Sequence, residues 1–484
     1  MLVLAIDQGT TNTKALVVDE TGRIHAHASS PSDTDYPHPG WAEQSAIAIW
    51  DNTRSVIDAV AAQIDGRGID AIAISNQRET IVAWDADTGK PVGPAILWQC
   101  SRTAPECAAL IAAGHNEIVE AATGLGINPM FPASKLAWIL KNQPEALRLL
   151  DQGRLRAGTV DSWLLWKLTA GASFATDHSN ASRTQLFDTE LLQWSDELSE
   201  IFGTPTACLP TPLASDSHFG DTAAGATDLP SGIPVMAMMG DSHAALYGHG
   251  VHKPGTVKAT YGTGSSLMTL TPQRVTSSHG LSGTIAWTDT SGTAYALEGN
   301  ILVSAQAAAF VAGLLGVGDA NKLSDLAQTV DTAEGVTFVP ALSGLGAPHW
   351  NDHATGTVAG MTHGTKPAHL ARATFEAIAM QICDVFEAMQ SDVGERLVGL
   401  RTDGGASSNA FLMQLQSDLL QRPVESAVVE EVSALGAAAM AFRALGQEWL
   451  PDTRSNRFEP RMAADSAKAI RATWRDAVRR ACLE

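Results

Sequence analysis

Met1-Leu-Val-Leu-Ala-Ile-Asp7-Gln8-Gly9-Thr10-Thr11-Asn12-Thr13-Lys14 opens the chain. Leu2 to Ile6 is a continuous apolar run of the kind a buried strand needs. It closes on an acid, a glycine and hydroxyl residues, and Ala15-Leu-Val-Val18 follows at once. Strand, tight turn and returning strand predict a hairpin. The turn offers backbone N–H groups and hydroxyls to an anion, and Lys14 adds a positive charge. Asp7 can hold a magnesium ion, directly or through water. Such a turn could cradle a polyphosphate. By itself the stretch fits a merely polar surface hairpin equally well.

The 484 residues exceed one core and imply two to four domains, with two large ones a natural division. Apolar residues make up 45 % and charged residues 17 %, a globular balance that excludes disorder. The net charge of −20, with no basic cluster, argues against nucleic acid or an anionic membrane surface as partner. Cys100, Cys107, Cys208, Cys383 and Cys482 form no metal-ligand pattern, and their odd number fits a reducing, cytoplasmic compartment. The opening apolar run is broken by Asp7 and follows no basic segment, so it does not read as a signal peptide. No apolar stretch approaches the roughly 20 residues of a membrane span.

Outward from the hairpin, Arg23 to Ser29 alternates and supplies a third antiparallel strand. Ile49, Trp50, Val56, Ile57, Val60 and Ile64 are spaced as one face of a helix over 46–64. Ile69 to Ser75 is a strand that runs into Asn76-Gln77-Arg78-Glu79-Thr80, and Ala95 to Trp98 is another. These elements predict a mixed sheet, and strand ends are where open α/β sheets bind ligands. Helical spacing recurs at 134–140 and 160–168, and prolines and glycines between Thr206 and Pro234 suggest an approaching boundary. Ile233 to Met239 is a buried strand closing on Gly240-Asp241-Ser242-His243. Thr256 to Leu270 repeats the opening device around Tyr261-Gly-Thr-Gly-Ser-Ser266. Leu397 to Thr402 ends in Asp403-Gly-Gly-Ala-Ser-Ser-Asn409 before a helix over 410–420, a turn that lets a ligand approach the backbone closely. A last small-residue helix covers 431–445. Two α/β lobes with a nucleotide between them follow as the expectation, divided as 1–243 and 244–484.

The motifs resemble those of the FGGY carbohydrate kinases, and most of all the glycerol kinases, in order and over nearly the whole length. They are Asp7-Gln-Gly-Thr-Thr11, Pro39-Gly-Trp-Ala-Glu43, Asn76-Gln-Arg-Glu-Thr80, Ala95-Ile-Leu-Trp-Gln-Cys100, Gly158-Thr-Val-Asp-Ser-Trp-Leu164, Asn180-Ala-Ser-Arg-Thr184, Gly240-Asp241, Tyr261-Gly-Thr-Gly264, Gly344-Leu-Gly-Ala-Pro348 and Asp403-Gly-Gly-Ala406. The resemblance implies two RNase H-like lobes of the actin, sugar-kinase and heat-shock-ATPase fold around a central ATP cleft. It implies ATP- and Mg2+-dependent phosphorylation of a primary hydroxyl on a small polyol or sugar. By analogy the enzyme is a homo-oligomer, dimer or tetramer.

Residue by residue, the resemblance makes Asp241 the general base, although an acid before a helix can also be a simple cap. Asp7 organises the metal, with Asp241 as a second metal residue. Thr10, Thr11, Asn12 and Lys14 face phosphates, Thr263 and Gly264 form the second phosphate hairpin, and Gly404, Gly405 and Asn409 form the adenosine end. Arg78 and Glu79 hold a vicinal diol as donor and acceptor, with Trp98 as apolar wall. Three positions depart from glycerol kinases. Met130 replaces a tyrosine, Ser242-His243 replaces a glutamine pair, and Ser266 replaces an aromatic residue. The exchanges predict more room and a substrate longer than glycerol, a four- or five-carbon polyol or a ketopentose. A xylulokinase-type ketopentose kinase is the alternative. A non-catalytic ATP-binding protein of the actin-like fold is a third possibility, against which the diol clamp argues.

Overall fold

The computed structural model describes residues 1–64, 68–429, 431–451 and 454–483. The chain forms two compact units. The first comprises Met1–Gly250, Gly283–Tyr295 and Glu431–Asp452, and the second comprises Val251–Ser282, Ala296–Glu430 and Thr453–Glu484. The first unit runs past the expected division at residue 243. The helix Asp241–Gly248 is continuous, and it packs against the helix Val432–Ala444, which returns from far along the chain.

In the first unit six strands lie in the order Gly220–Asp221, Pro234–Gly240, Ala71–Asn76, Leu2–Gln8, Asn12–Asp19, Ile24–Pro31. The opening hairpin is as expected, antiparallel with Ile6 opposite Ala15 and Gln8 opposite Thr13. On its other side Leu2–Gln8 pairs in parallel with Ala71–Asn76, Asp7 opposite Ser75. Ala71–Asn76 in turn pairs in parallel with Pro234–Gly240, Asn76 opposite Gly240. All three inner strands are apolar up to their carboxyl ends because helices cover both faces, and those ends lie side by side. One of those helices, Ala46–Gln63, buries Ile49, Trp50, Val56, Ile57 and Val60, and Ser45 caps it by accepting from the Ala48 N–H.

Sheet membership differs from the expectation at one place. The segment near Ala95 does not extend the main sheet. Ala95–Ile96 instead joins Glu43–Gln44, Ile81–Asp85 and Leu155–Thr159 in a separate four-stranded sheet. The polar segment 77–80 is a tight turn, closed by the Thr80 N–H donating to the Arg78 carbonyl, and it throws the chain from one sheet to the other.

The second unit repeats the same logic. Five of its strands lie in the order Ser265–Thr271, Thr256–Tyr261, Gly399–Asp403, Val424–Ala427, Ser455–Phe458. The hairpin Thr256–Thr271 is antiparallel, and Thr256–Tyr261 runs parallel to Gly399–Asp403 with Thr260 opposite Asp403. The long helix Pro367–Val393 supplies much of its core, including Phe375, Ile378, Ile382 and Phe386. No helix among the described residues is long and apolar enough to cross a membrane.

Candidate active site

Three parallel strands ending together bring three distant motifs to one edge of the first unit: Asp7 to Thr11, Asn76 to Thr80, and Gly240 to His243. The turn after the first strand is closed by the Gly9 N–H donating to the Asn12 carbonyl at 2.9 Å. The Asp7 carboxylate accepts from Ser75 Oγ at 2.8 Å. Burial pushes the Asp7 carboxyl up to about 7; the Asp241 charge acts in the same direction, and Ser75 and Lys14 oppose it. The donor set fits a hard divalent cation. It is all oxygen, the buried acid is costly to ionise without a cation, and Mg2+ takes one or two carboxylates and fills its shell with water and phosphate. Among the described residues no group of three His, Cys, Asp or Glu could enclose a metal alone.

The hairpin residues are already engaged within the unit. Thr10 Oγ1 accepts from Trp98 Nε1 at 3.0 Å and donates to Gln77 Oε1 at 3.3 Å. Gln77 is buried and ties Gln8, Gln44 and Thr80 into one amide network. Thr11 is exposed. Asn12 Oδ1 is buried with no hydrogen-bond partner, an orphan acceptor on the turn. Lys14 Nζ donates to both carboxylate oxygens of Glu431, at 3.0 and 2.9 Å, so its charge is met by an acid 417 residues away that sequence reasoning did not single out.

Asp241 is not the cap of its helix. Gly240 holds the cap position, and Asp241 is the first helical residue. Its Oδ1 accepts from Arg78 Nε at 3.0 Å and from the Ser242 N–H at 2.6 Å. A Cβ at Gly240 would sit 2.6 Å from Arg78 Cγ, so glycine there lets the arginine lie against the strand end. Arg78 Nη1 lies 3.9 Å from Glu79 Oε1. Glu79 has φ 58°, a left-handed backbone that is costly for a non-glycine residue and that turns it inward. Its Oε1 accepts from Arg183 Nε at 2.6 Å, and both side chains are buried. Arg183 was also not singled out. The only signal was its place in Asn180-Ala-Ser-Arg-Thr184.

Trp98 is half-buried, held by its indole bond to Thr10 and by its backbone N–H to Thr80 Oγ1 at 3.3 Å. Met130 is half-buried, and its N–H donates to Asn128 Oδ1. Ser242 is buried beside Asp241. His243 lies under the strand end, its Nδ1 2.8 Å from where a Cβ at Gly240 would sit. It is fully buried, with Nε2 3.1 Å from Thr284 Oγ1, which also pairs with Ser182.

Ser266, Thr263, Gly264, Gly404, Gly405 and Asn409 lie in the second unit. Ser266 Oγ donates to the buried Glu298 carboxylate at 2.7 Å. A Cβ at Gly264 would meet the Ile301 carbonyl at 2.4 Å, and one at Gly404, where φ is 87°, the Tyr261 carbonyl at 2.5 Å. The second hairpin and the Gly-Gly turn are therefore packed backbone to backbone, which only glycine permits. Asn409 caps the helix Ala410–Leu420, Oδ1 accepting from the Leu412 N–H at 3.0 Å.

Two hairpin-bearing α/β units, an Arg–Glu pair at one strand end and an aspartate at the next define a phosphotransferase of the sugar-kinase type. Residues 2–248 match the N-terminal domain and residues 257–445 the C-terminal domain of the FGGY family of carbohydrate kinases. The chain belongs to that family. It is 45 % identical to the apulose kinase of Pectobacterium atrosepticum over 92 % of this chain and 90 % of that protein. It is 43 % identical to a glycerol kinase of Symbiobacterium thermophilum over 99 % of this chain and 98 % of that protein. The crystal structure of Plasmodium falciparum glycerol kinase with ADP superposes with a TM-score of 0.94 at 32 % identity, covering 100 % of this chain and 98 % of that one. The protein is thus an ATP-dependent carbohydrate kinase acting on an alcohol group of a small sugar or polyol, and its fold is the two-domain, actin-like fold of these kinases.

Proposed function

We propose that the enzyme phosphorylates a primary hydroxyl of a four- or five-carbon polyol or ketose rather than glycerol. The observation that carries the acceptor site is the chain of contacts Asp241–Arg78–Glu79–Arg183, which supports reading the first as a carboxylate base beside a diol clamp. Arg78 donates to one acceptor hydroxyl, Glu79 accepts from its neighbour, and Trp98 covers the carbon chain. The bonds from Arg78 and from the Ser242 N–H both end on Asp241 Oδ1, which leaves Oδ2 to take the proton of the attacking hydroxyl as the O–P bond forms.

The ATP residues remain as the resemblance assigns them. Thr10, Thr11, Asn12, Lys14, Thr263 and Gly264 serve the phosphates, and Gly404, Gly405 and Asn409 the adenosine. Mg2+ would be held by Asp7 beside Asp241 and would neutralise phosphate charge. Lys14 gives two of its three N–H groups to Glu431, which leaves one for a phosphate. Cytoplasmic location and a dimeric or tetrameric assembly belong to the same reading.

Size supports the longer acceptor. Met130 and Ser242 flank the clamp, Ser266 stands in the second unit, and glycerol kinases carry bulkier or amide-bearing groups at these positions. His243 Nε2 is engaged with Thr284. The similarity to an apulose kinase favours the ketopentose end of the range. Turnover by coupled ADP detection across glycerol, erythritol, xylitol, xylulose, ribulose and apulose tests this. The highest kcat/KM is expected with a four- or five-carbon acceptor, and a clear preference for glycerol overturns it.

A further inference from the structure

Lys135 has no assigned part in the chemistry, yet it lies under the acceptor pocket. It sits in the first turn of the helix Pro132–Asn142, and its side chain is fully buried. Its ammonium donates to three backbone carbonyls: Met130 at 2.6 Å, Leu97 at 2.7 Å and Glu79 at 3.3 Å. These carbonyls belong to three separate connections of the fold. One is the turn after Ala71–Asn76, one follows Ala95–Ile96, and one precedes the helix of Lys135 itself. Each carries a wall of the pocket, namely Glu79, Trp98 next to Leu97, and Met130.

We propose that Lys135 is a positioning residue that binds these three loops into one frame and so sets the shape of the acceptor pocket. This rests on the acceptor site assigned above. An ammonium has three N–H donors and here meets three acceptors, which an apolar side chain of similar length, such as Met, leaves unsatisfied. Burying a cation is costly, and a site needing only packing would be better filled by Met or Leu. Burial pushes the Lys135 ammonium down to about 7; the facing Cys100, Glu79 and Cys107 act against that shift, and Arg102 adds to it. The Glu79 carboxylate, the nearest acid, is bonded to Arg183 instead. Lys135 therefore grips the Glu79 backbone while Arg183 grips its side chain.

The test compares Lys135→Met with the native enzyme, using glycerol and xylulose as acceptors. Acceptor KM should rise at least tenfold, while KM for ATP stays within about twofold. If Lys135→Met fails to fold, Lys135→Gln carries the test, since it keeps two of the three donors and should raise acceptor KM by a smaller factor. A fall in melting temperature with both KM values unchanged would make Lys135 a structural staple only and overturn the proposal. Glu79→Gln is measured beside it. If that variant leaves acceptor KM untouched, the diol clamp itself is wrong. If Glu79→Gln raises acceptor KM and Lys135→Met does not, the clamp stands and only the role of Lys135 falls.

Discussion

Replacing Arg183 by Met should separate stability from acceptor recognition within one buried ion pair. Arg183 Nε and Glu79 Oε1 are 2.6 Å apart, with side-chain exposures of 0 % and 4 %. Met keeps the contact with the Phe131 ring, over which the guanidinium lies at 5.2 Å, but removes the charge. Glu79 would then keep Arg78, 3.9 Å away, with the Lys135 ammonium on its backbone carbonyl. Removing one partner of a buried pair costs about 3–5 kcal/mol, because the other charge stays in low dielectric. At roughly 2–4 °C per kcal/mol for a unit of this size, the melting temperature should fall by about 6–20 °C. The freed carboxyl also loses its orientation. A charge-assisted bond to an acceptor hydroxyl is worth about 1.5–3 kcal/mol. Its loss lowers kcat/KM for the acceptor by about 10- to 150-fold. The double variant Arg183→Met/Glu79→Gln removes both charges and should recover most of the melting temperature while kcat/KM stays low. Circular-dichroism melts and steady-state kinetics on the three variants measure all of this. A double variant no more stable than Arg183→Met, or a single variant that melts like the native protein, would refute the reasoning.

Asp241→Asn should lower kcat by about 10²–10⁴ with little change in acceptor KM, since the amide keeps the bond from Arg78 but cannot take the proton; ADP release within tenfold of native would remove Asp241 as base. Asp161 gives a pH signature. Burial first, and then the Asp177 charge, push its carboxyl up to about 6 from 3.8, against the hydroxyls of Thr159 and Thr176. Its folded-state pKa lies above the unfolded one, so its stabilising contribution is complete below pH 4 and lost as pH rises through 6. In urea titrations Asp161→Asn should therefore gain stability relative to native at pH 8 over pH 4, by at most about 3 kcal/mol (6 − 3.8, at 1.36 kcal/mol per pH unit). Gly436→Ala puts a Cβ 1.9 Å from the Ala244 carbonyl, in the helix that Asp241 begins; it should cost about 1–3 kcal/mol and lower kcat as that helix shifts, and an unaltered melt and kcat would count against this close approach.

The sequence was most informative where chemistry and periodicity coincide at a strand end. The hairpin Leu2–Asp19, the helix Ala46–Gln63, the strand closing on Gly240-Asp241 and the Gly-Gly turn at Gly404 all lie where apolar spacing and punctuation put them. Such signals are local, because each depends only on which residues face a core a few positions apart. Partners across the chain leave no such trace. Ala71–Asn76 takes Pro234–Gly240 as its neighbour rather than the nearer Ala95 segment, and the sheet that results brings Asp7 and Asp241 to one edge with a single strand between them. Whether Asp241 was a cap or a base could not be decided from an acid before a helix. Folding removes the cap, which Gly240 takes, and brings Arg78, 163 residues away, to the carboxylate, which supports the proposed base. The same holds for the residues that reasoning passed over. Glu431, Arg183 and Lys135 are unremarkable in sequence because a buried cation or acid looks like a surface one until its partner is known. Their partners lie 417, 104 and, for the Glu79 carbonyl, 56 residues away. The opening turn is thus only half described by its own residues. Thr10 is held by Trp98 and Gln77, and Lys14 by Glu431, so the groups that would receive a phosphate are preset by side chains brought to them only by folding.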